Sequence, residues 1–332
     1  MSKRKRKPQP KRQPGPDDNL AREQFGDLNR QFYGGKLQPA DYLQHRYRSL
    51  FLAAQSPEVL ACAFDSELSI GDLRASWPST DEWDEEEVRD YLSTESTVLL
   101  HHAAESLFRL YFAHADSPEC PWLGVARMRI PAQFKERLSN FMRAEADTDD
   151  QSAMLIFYGH GTAPEGKQEQ WDTMRDGLMM LLRHLGKRLL DEAPLYNSAK
   201  HGLSLVPGAA MMQFGDQDGP LRIRADGPSI TYLTVREGEQ GKRWAQETVW
   251  LDPARTLAVV ALALFQLSNL WHVARCRYAG ETWDQSKMRH MTPEFVSQVL
   301  HPPLDGEKVR VTVPSMTMGL LYYEPEPPSP RQ

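Results

Sequence analysis

Residues 252–280 read DPARTLAVVALALFQLSNLWHVARCRYAG. Asp252 supplies a side-chain acceptor and Pro253 presets φ at the first helical position, so a helix starts here. It is expected to run to about Tyr278, with Gly280 just beyond. From Leu257 to Leu267 it is apolar nearly all round, which suits a helix covered on every side. That run falls short of the roughly 20 residues a bilayer requires, and Gln266, Ser268 and Asn269 interrupt its end. We therefore read a buried core helix and expect no membrane span.

Working outward, the residues on its N-terminal side change period. Between 203 and 251 the turns GDQDGP (215–220), ADGP (225–228) and REGEQGK (236–242) separate three or four short antiparallel strands. Ile230, Tyr232 and Thr234 alternate with Thr231, Leu233 and Val235, and Trp244 and Trp250 share a face. Before this insertion, Trp171, Met174, Leu178, Leu181, Leu182, Leu185 and Leu189 fall at helical spacing in a helix from Gln168. Pro194 kinks or breaks it, and a last turn from Leu195 to His201 ends at Gly202. The segment AMLIFYGHG (153–161) reads either as a short strand or as a helix end stopped by Gly159. Leu100, Ala104, Leu107 and Tyr111 mark a helix from Ser93 to about Ala115, and another is expected near 131–145. Leu43, Tyr47, Leu50 and Phe51 mark a first helix from Ala40 to Ala54. The acidic run 81–87 fits a solvated helix start or a loop. On the C-terminal side, Thr292-Pro293-Glu294 opens one more short helix. The expected fold is mainly α: a helical bundle with a small antiparallel β-sheet inserted at about 203–251 between long helices (α+β). One globular domain would cover 19–323, between a basic N-terminal tail (1–18) and a Pro-rich tail (324–332), both expected to be disordered.

The 332 residues are 40% hydrophobic and 25% charged, as in ordinary folded proteins. The net charge of -6 is unevenly spread. Lys3, Arg4, Lys5, Arg6, Lys7, Lys11 and Arg12 crowd the first twelve residues without an acid; removing those seven leaves 32 basic against 45 acidic residues, a net of -13. An acidic body with a basic arm does not grip nucleic acid over its whole surface, but the arm itself attracts phosphate without sequence preference, or serves merely as a solubilising tail. Cys62, Cys120 and Cys276 lie far apart and form no CxxC or Cys/His spacing, which fits free thiols in a reducing compartment. The basic start lacks an apolar segment after it, so no signal peptide is expected and the cytoplasm is the expected location. No HExxH-type pair occurs; neither a metal nor another cofactor is expected.

Two groups of residues invite chemistry. Tyr196-Asn197-Ser198-Ala199-Lys200-His201-Gly202 places Asn197 and His201 four residues apart on one helix face, with Lys200 beside them. Lys and His in a last helical turn also simply cap carbonyls, with Gly202 as the residue that ends the helix. On the 93–115 helix, His101, Glu105 and Arg109 are spaced i, i+4, i+8, with His102 adjacent; the plain alternative is a solvated face with one Glu–Arg pair. Tyr158-Gly159-His160-Gly161-Thr162 has glycines but no following Lys-Ser/Thr, and reads as a turn rather than a phosphate loop.

The Tyr-Asn-x-x-Lys-His-Gly segment at a bundle-helix end resembles the motif region of the HEPN superfamily (higher eukaryotes and prokaryotes nucleotide-binding). The resemblance covers about 93–115 and 168–202. It implies a helical bundle, often a metal-independent RNase of bacterial stress or defence systems, usually working as a homodimer. His201 matches the motif His; Pro194, Leu195 and Tyr196 stand where the motif Arg would be, and Asn197 is an acceptable polar motif residue. Glu105 and Arg109 are similar to an acid-x-x-x-base pair of some members. The resemblance implies an RNA-directed protein, either a degenerate endoribonuclease or a binder. In a nuclease, His201 and His101 or His102 would exchange protons and Arg109 would hold the phosphate. The alternative is a non-catalytic interaction module whose docking surface is the β-insertion with Trp244 and Trp250.

Overall fold

The computed structural model describes residues 20–56, 68–70, 73–75, 85–144, 146–200, 204–214, 222–238, 241–301, 310–312 and 315–320. The helices are α1 (Phe25–Tyr33), α2 (Pro39–Gln55), α3 (Glu85–Asp116), α4 (Pro121–Arg127), α5 (Pro131–Arg143), α6 (Ala146–Tyr158), α7 (Gln168–Asp191), α8 (Ala193–Ala199), α9 (Pro253–Ala274) and α10 (Pro293–Leu300). The strands are β1 (Leu68–Ile70), β2 (Leu73–Ala75), β3 (Leu205–Phe214), β4 (Arg222–Gly238), β5 (Gly241–Trp250), β6 (Arg310–Thr312) and β7 (Ser315–Gly319).

The segment 252–280 behaves as its residues require. The Asp252 carboxylate accepts the Arg255 backbone N–H at 3.0 Å. Leu257, Val260, Leu264, Leu267, Leu270 and Trp271 are buried, and α9 packs on α2, α3 and α6. By length and composition this is one helix able to cross a membrane, yet 78% of its apolar window is covered by the fold itself. A π-helical turn, Arg275–Ala279, prolongs it, and Gly280 at φ +71° ends it. The other central helix, α3, buries Leu99, Leu100, Ala103, Ala104, Leu107, Phe108, Tyr111 and Phe112. It starts at Glu85, eight residues before the expected Ser93, because Val88 and Leu92 are also buried and carry the helix back into the acidic run. Residues 81–84 lie outside the described residues.

The 153–161 alternative resolves as a helix end: α6 stops at Tyr158, and Gly159 takes φ +79°. Pro194 separates two helices rather than kinking one. Lacking an N–H, it sits in the first turn of α8, where none is needed. Helix α1 has no counterpart in the sequence reading. It is held by stacking, Phe32 on Trp122 with centroids 5.2 Å apart and Tyr33 on Tyr278 at 5.2 Å, contacts between distant residues that periodicity does not register.

The sheet runs β3-β4-β5-β7 with antiparallel neighbours, and β6 pairs parallel to the start of β4. The insertion supplies three strands; β6 and β7 follow α10, after the segment where strands were expected. The alternation in β4 holds. Ile230, Tyr232 and Thr234 are buried, with Ile230 and Tyr232 packing against Leu195 of α8, while Leu233 and Val235 point outward. Trp244 pairs directly with Val235, so it lies on the outward face, 52% exposed; Trp250, also on that face, donates its indole N–H to the Ala210 carbonyl at 2.9 Å. The expected segments 1–18 and 324–332 lie outside the described residues.

Candidate functional site

Helix α3 carries three of its four candidate residues into a polar cluster with α2 and α8. The stripe is not a solvated face. His101 is 1% exposed, donates Nε2–H to Glu192 Oε2 at 3.2 Å and stacks on Tyr196 with centroids 4.9 Å apart. Glu192 also pairs with Arg188 at 2.5 Å. Burial alone raises the Glu192 carboxyl, but the His101 hydrogen bond and the Arg188 guanidinium outweigh it and hold the group below the usual carboxylate range. His102 lies beside α2: Arg46 donates to its Nδ1 at 3.2 Å and to Glu95 at 3.1 Å. Burial, then Arg46 and Lys200, lower the His102 pKa, against a smaller opposing pull from Glu105. The ring is thus neutral near pH 7, with Nδ1 accepting and Nε2–H left as a donor.

Arg109 turns the other way. Its Nε reaches Glu105 at 2.7 Å, its Nη1 donates to the Met128 carbonyl, and its guanidinium lies 4.5 Å from the Phe134 ring centroid. Its Nη2 also lies 2.6 Å from Glu105, so all three nitrogens are used and no fork remains for a phosphate. Tyr196 is kept protonated by burial and by Glu105, with Arg46 and Arg109 opposing. Asn197 and Lys200 are exposed on and just after α8. His201 and the basic arm (Lys3, Arg4, Lys5, Arg6, Lys7, Lys11, Arg12) lie outside the described residues. Chemically, the cluster offers donors (His102 Nε2–H, the Lys200 ammonium, the Tyr196 phenol). Both of its histidines are already engaged, His101 by Glu192 and His102 by Arg46. Among the described residues, no group of three or more His, Cys, Asp or Glu side chains is placed to hold a metal ion.

A second constellation lies at the other end of α7, and the sequence reading missed it. A pocket of about 360 Å³ is lined by Tyr158, Trp171, Met174 and Met288 below, Trp283 at the side, and His160, Lys167, Gln170, Gln285 and His290 at the rim. Its outer wall is the segment after α9, and several contacts fix that segment. The Asn269 amide, fully buried, accepts the Arg289 N–H at 2.9 Å and donates to the Arg289 carbonyl at 2.8 Å. His272 Nε2 accepts the Asp284 N–H at 3.2 Å. Gly177 of α7 lets the Met291 carbonyl approach where any Cβ would collide with it. Gly159 gives Trp283 a close approach of a milder kind, since a Cβ there would press on its ring at 3.2 Å. The 158–162 turn is therefore a packing surface for an indole. Trp171 was legible as a helix-stripe residue; Trp283 and His290 sit in irregular chain and carry no periodic signal.

His184 of α7 is half-buried. Burial and Arg188 push its pKa down to about 4. Cys120 is a buried free thiol; Cys276 is half-buried with Sγ 3.8 Å from His272 Nε2, and burial raises its pKa, which disfavours a reactive thiolate.

The outward sheet face forms a third region. Leu233, Val235, Trp244, Val206 and Met318 are exposed on it, and a cleft of about 590 Å³ runs along Ser198, Leu205, Val206, Leu233 and Trp244.

Comparison with known protein families, with curated proteins and with solved structures yields no match to this chain.

Proposed function

We propose that the chain is an RNA-directed, HEPN-like helical protein that binds RNA without cutting it. The observation that carries this reading is the α2–α3–α8 cluster, which gathers the His102 Nε2–H, the Tyr196 phenol and the Lys200 ammonium as donors while Arg46, Arg109 and His101 are committed to Glu95, Glu105, Met128 and Glu192. Donors without an available base suit phosphate binding better than proton abstraction. The test is fluorescence anisotropy with a labelled single-stranded RNA, alongside a cleavage assay without metal. Wild type is expected to bind with affinity that falls with salt. Lys200→Ala is expected to weaken binding and flatten the salt slope by about 0.7. Uncut RNA is the expected product, with His201→Ala indistinguishable from wild type. Metal-free cleavage abolished by Arg109→Ala or His201→Ala would replace this reading with the nuclease one; no salt-dependent binding would remove it.

A second reading rests on the exposed apolar face of the sheet, Trp244 with Leu233 and Val235. It makes the protein an interaction module, with a second copy of the chain as the simplest occupant. Sedimentation across a concentration series tests it: a dimer dissociated by Trp244→Lys supports it, and a monomer at all concentrations removes the self-association form.

A further inference from the structure

We propose that the pocket at the N-terminal end of α7 binds a planar aromatic ring carrying a phosphate or similar anion, the chemistry of a nucleotide. The site is distinct from the α2–α3–α8 cluster. From Trp171 to Glu192 the chain of α7 spans about 30 Å at ~1.5 Å per residue, so the two lie at opposite ends of one helix. This proposal does not rest on the reading of that cluster.

The ring is called for by the walls. Trp283 is 38% exposed, yet it is held from three directions: its ring lies against Gly159, His160 meets it edge-on at 5.9 Å, and His272 tilts against it at 5.5 Å. An indole fixed this way and still accessible is a stacking platform that loses little freedom when a ring lands on it. Beneath it the floor is apolar and aromatic. Trp171 is 8% exposed and Met288 5%, and Tyr158 lies stacked under His290 with centroids 5.6 Å apart. Burial pushes the Tyr158 phenol up to about 12, so the floor carries no charge at neutral pH. A volume of about 360 Å³ sits at the small end of the ~300–1,000 Å³ range of small-molecule pockets, which suits one ring system with a short appendage.

The anion is called for by the rim. Lys167, His160, His290, Gln170 and Gln285 are all donors, and no carboxylate is among the lining residues. Gln285 donates its amide N–H to His290 Nε2 at 3.0 Å; with the ring kept neutral by burial, Nδ1–H remains to donate. A ring-bearing cation would meet the Lys167 ammonium and find no opposite charge here. The same chemistry has two sources, a free nucleotide or an unpaired base of an RNA strand.

The experiment is a titration of the full chain, followed by tryptophan fluorescence and calorimetry, with AMP, adenosine, ribose 5-phosphate and the trinucleotide ApApA. AMP is expected to bind, with adenosine and ribose 5-phosphate each at least about tenfold weaker, since each lacks one half of the recognised group. Trp283→Ala is expected to weaken AMP about tenfold or more, in keeping with base–aromatic stacking, while Trp283→Phe retains part of the affinity and shows that the fold survives. Lys167→Ala is expected to weaken AMP but leave adenosine unchanged, which a merely misfolded pocket would not do. Lys200→Ala, at the far end of α7, is expected to leave AMP binding unchanged. ApApA tighter than AMP assigns the pocket to RNA; equal or weaker binding assigns it to free nucleotide. No AMP binding at millimolar concentration, or ribose 5-phosphate binding as well as AMP, overturns the proposal.

Discussion

The two ends of α7 both carry histidines and cations and do different things with them. At the C-terminal end, histidines, arginines and carboxylates close on one another: His101 with Glu192, Glu192 with Arg188, Arg46 with Glu95, Arg109 with Glu105. At the N-terminal end, a lysine and two histidines surround an aromatic floor with no carboxylate among the lining residues. A polar group satisfied within the fold contributes structure. One left at a rim over an apolar floor contributes recognition. The end richer in ionisable residues is therefore the more closed, and the end with fewer of them is the more open to a ligand.

That contrast can be broken in order of expected size. Glu192→Ala strands His101 in the interior and also releases Arg188, so it should cost about 3 kcal/mol, read by urea denaturation. It should leave the AMP titration unchanged in the folded fraction. Equal stability in Glu192→Ala would mean the C-terminal cluster is not structural. Asn269→Ala leaves the Arg289 N–H without its partner and the Arg289 carbonyl with only the Gln266 amide at 3.4 Å, and should cost about 2 kcal/mol. Unlike the first variant, it should also loosen Trp283 and weaken AMP.

Acid is expected to act through the buried histidines. Burial and Arg277 hold His114 at about 3, with its Nε2 facing the Tyr33 hydroxyl at 2.8 Å, and His184 is held at about 4. Both folded values lie below the unfolded one, so the unfolded chain binds more protons between them. The stability these rings contribute is complete above about pH 6.5 and is lost as pH falls from there. His114 should cost about 1.4 kcal/mol per pH unit between roughly 6.5 and 5, and His184 acts in the same direction with more screening. Thermal melts at pH 7, 6 and 5 read this; His114→Gln should flatten the profile, and an unchanged slope would show that the ring is not held neutral. Smallest of all, Lys200→Ala and Lys167→Ala should each stay within about 0.5 kcal/mol of wild-type stability. Only their ligands should tell them apart, RNA for the first and AMP for the second.

Much of the helical frame was legible in the residues. Asp252-Pro253, Thr292-Pro293 and Gly159 act within one turn of themselves, so a cap or a stop can be read from a few neighbours. The stripe from Trp171 to Leu189 and the alternation in β4 likewise need only a window of residues. The stripe His101, Glu105, Arg109 was legible as spacing but not as environment. His101 turns toward Glu192, 91 positions away, while Arg109 turns toward Met128 and Phe134. Strands β6 and β7 were not legible, because three and five residues carry too little pattern to separate an edge strand from a loop.

The sequence by itself determined a mainly helical chain with a buried apolar helix from 253 to about 278, a small antiparallel sheet inserted at about 203–251, and a basic first segment ahead of an acidic body. Those properties follow from backbone dihedrals, caps and hydrophobic period, all of which act over a few residues. Only the tertiary structure decided which histidines are buried, which arginines are already spent, and that Trp283 comes to rest on Gly159 above Trp171. Such outcomes depend on desolvation and on partners brought together from remote parts of the chain. Neither has a signature in any short window of sequence.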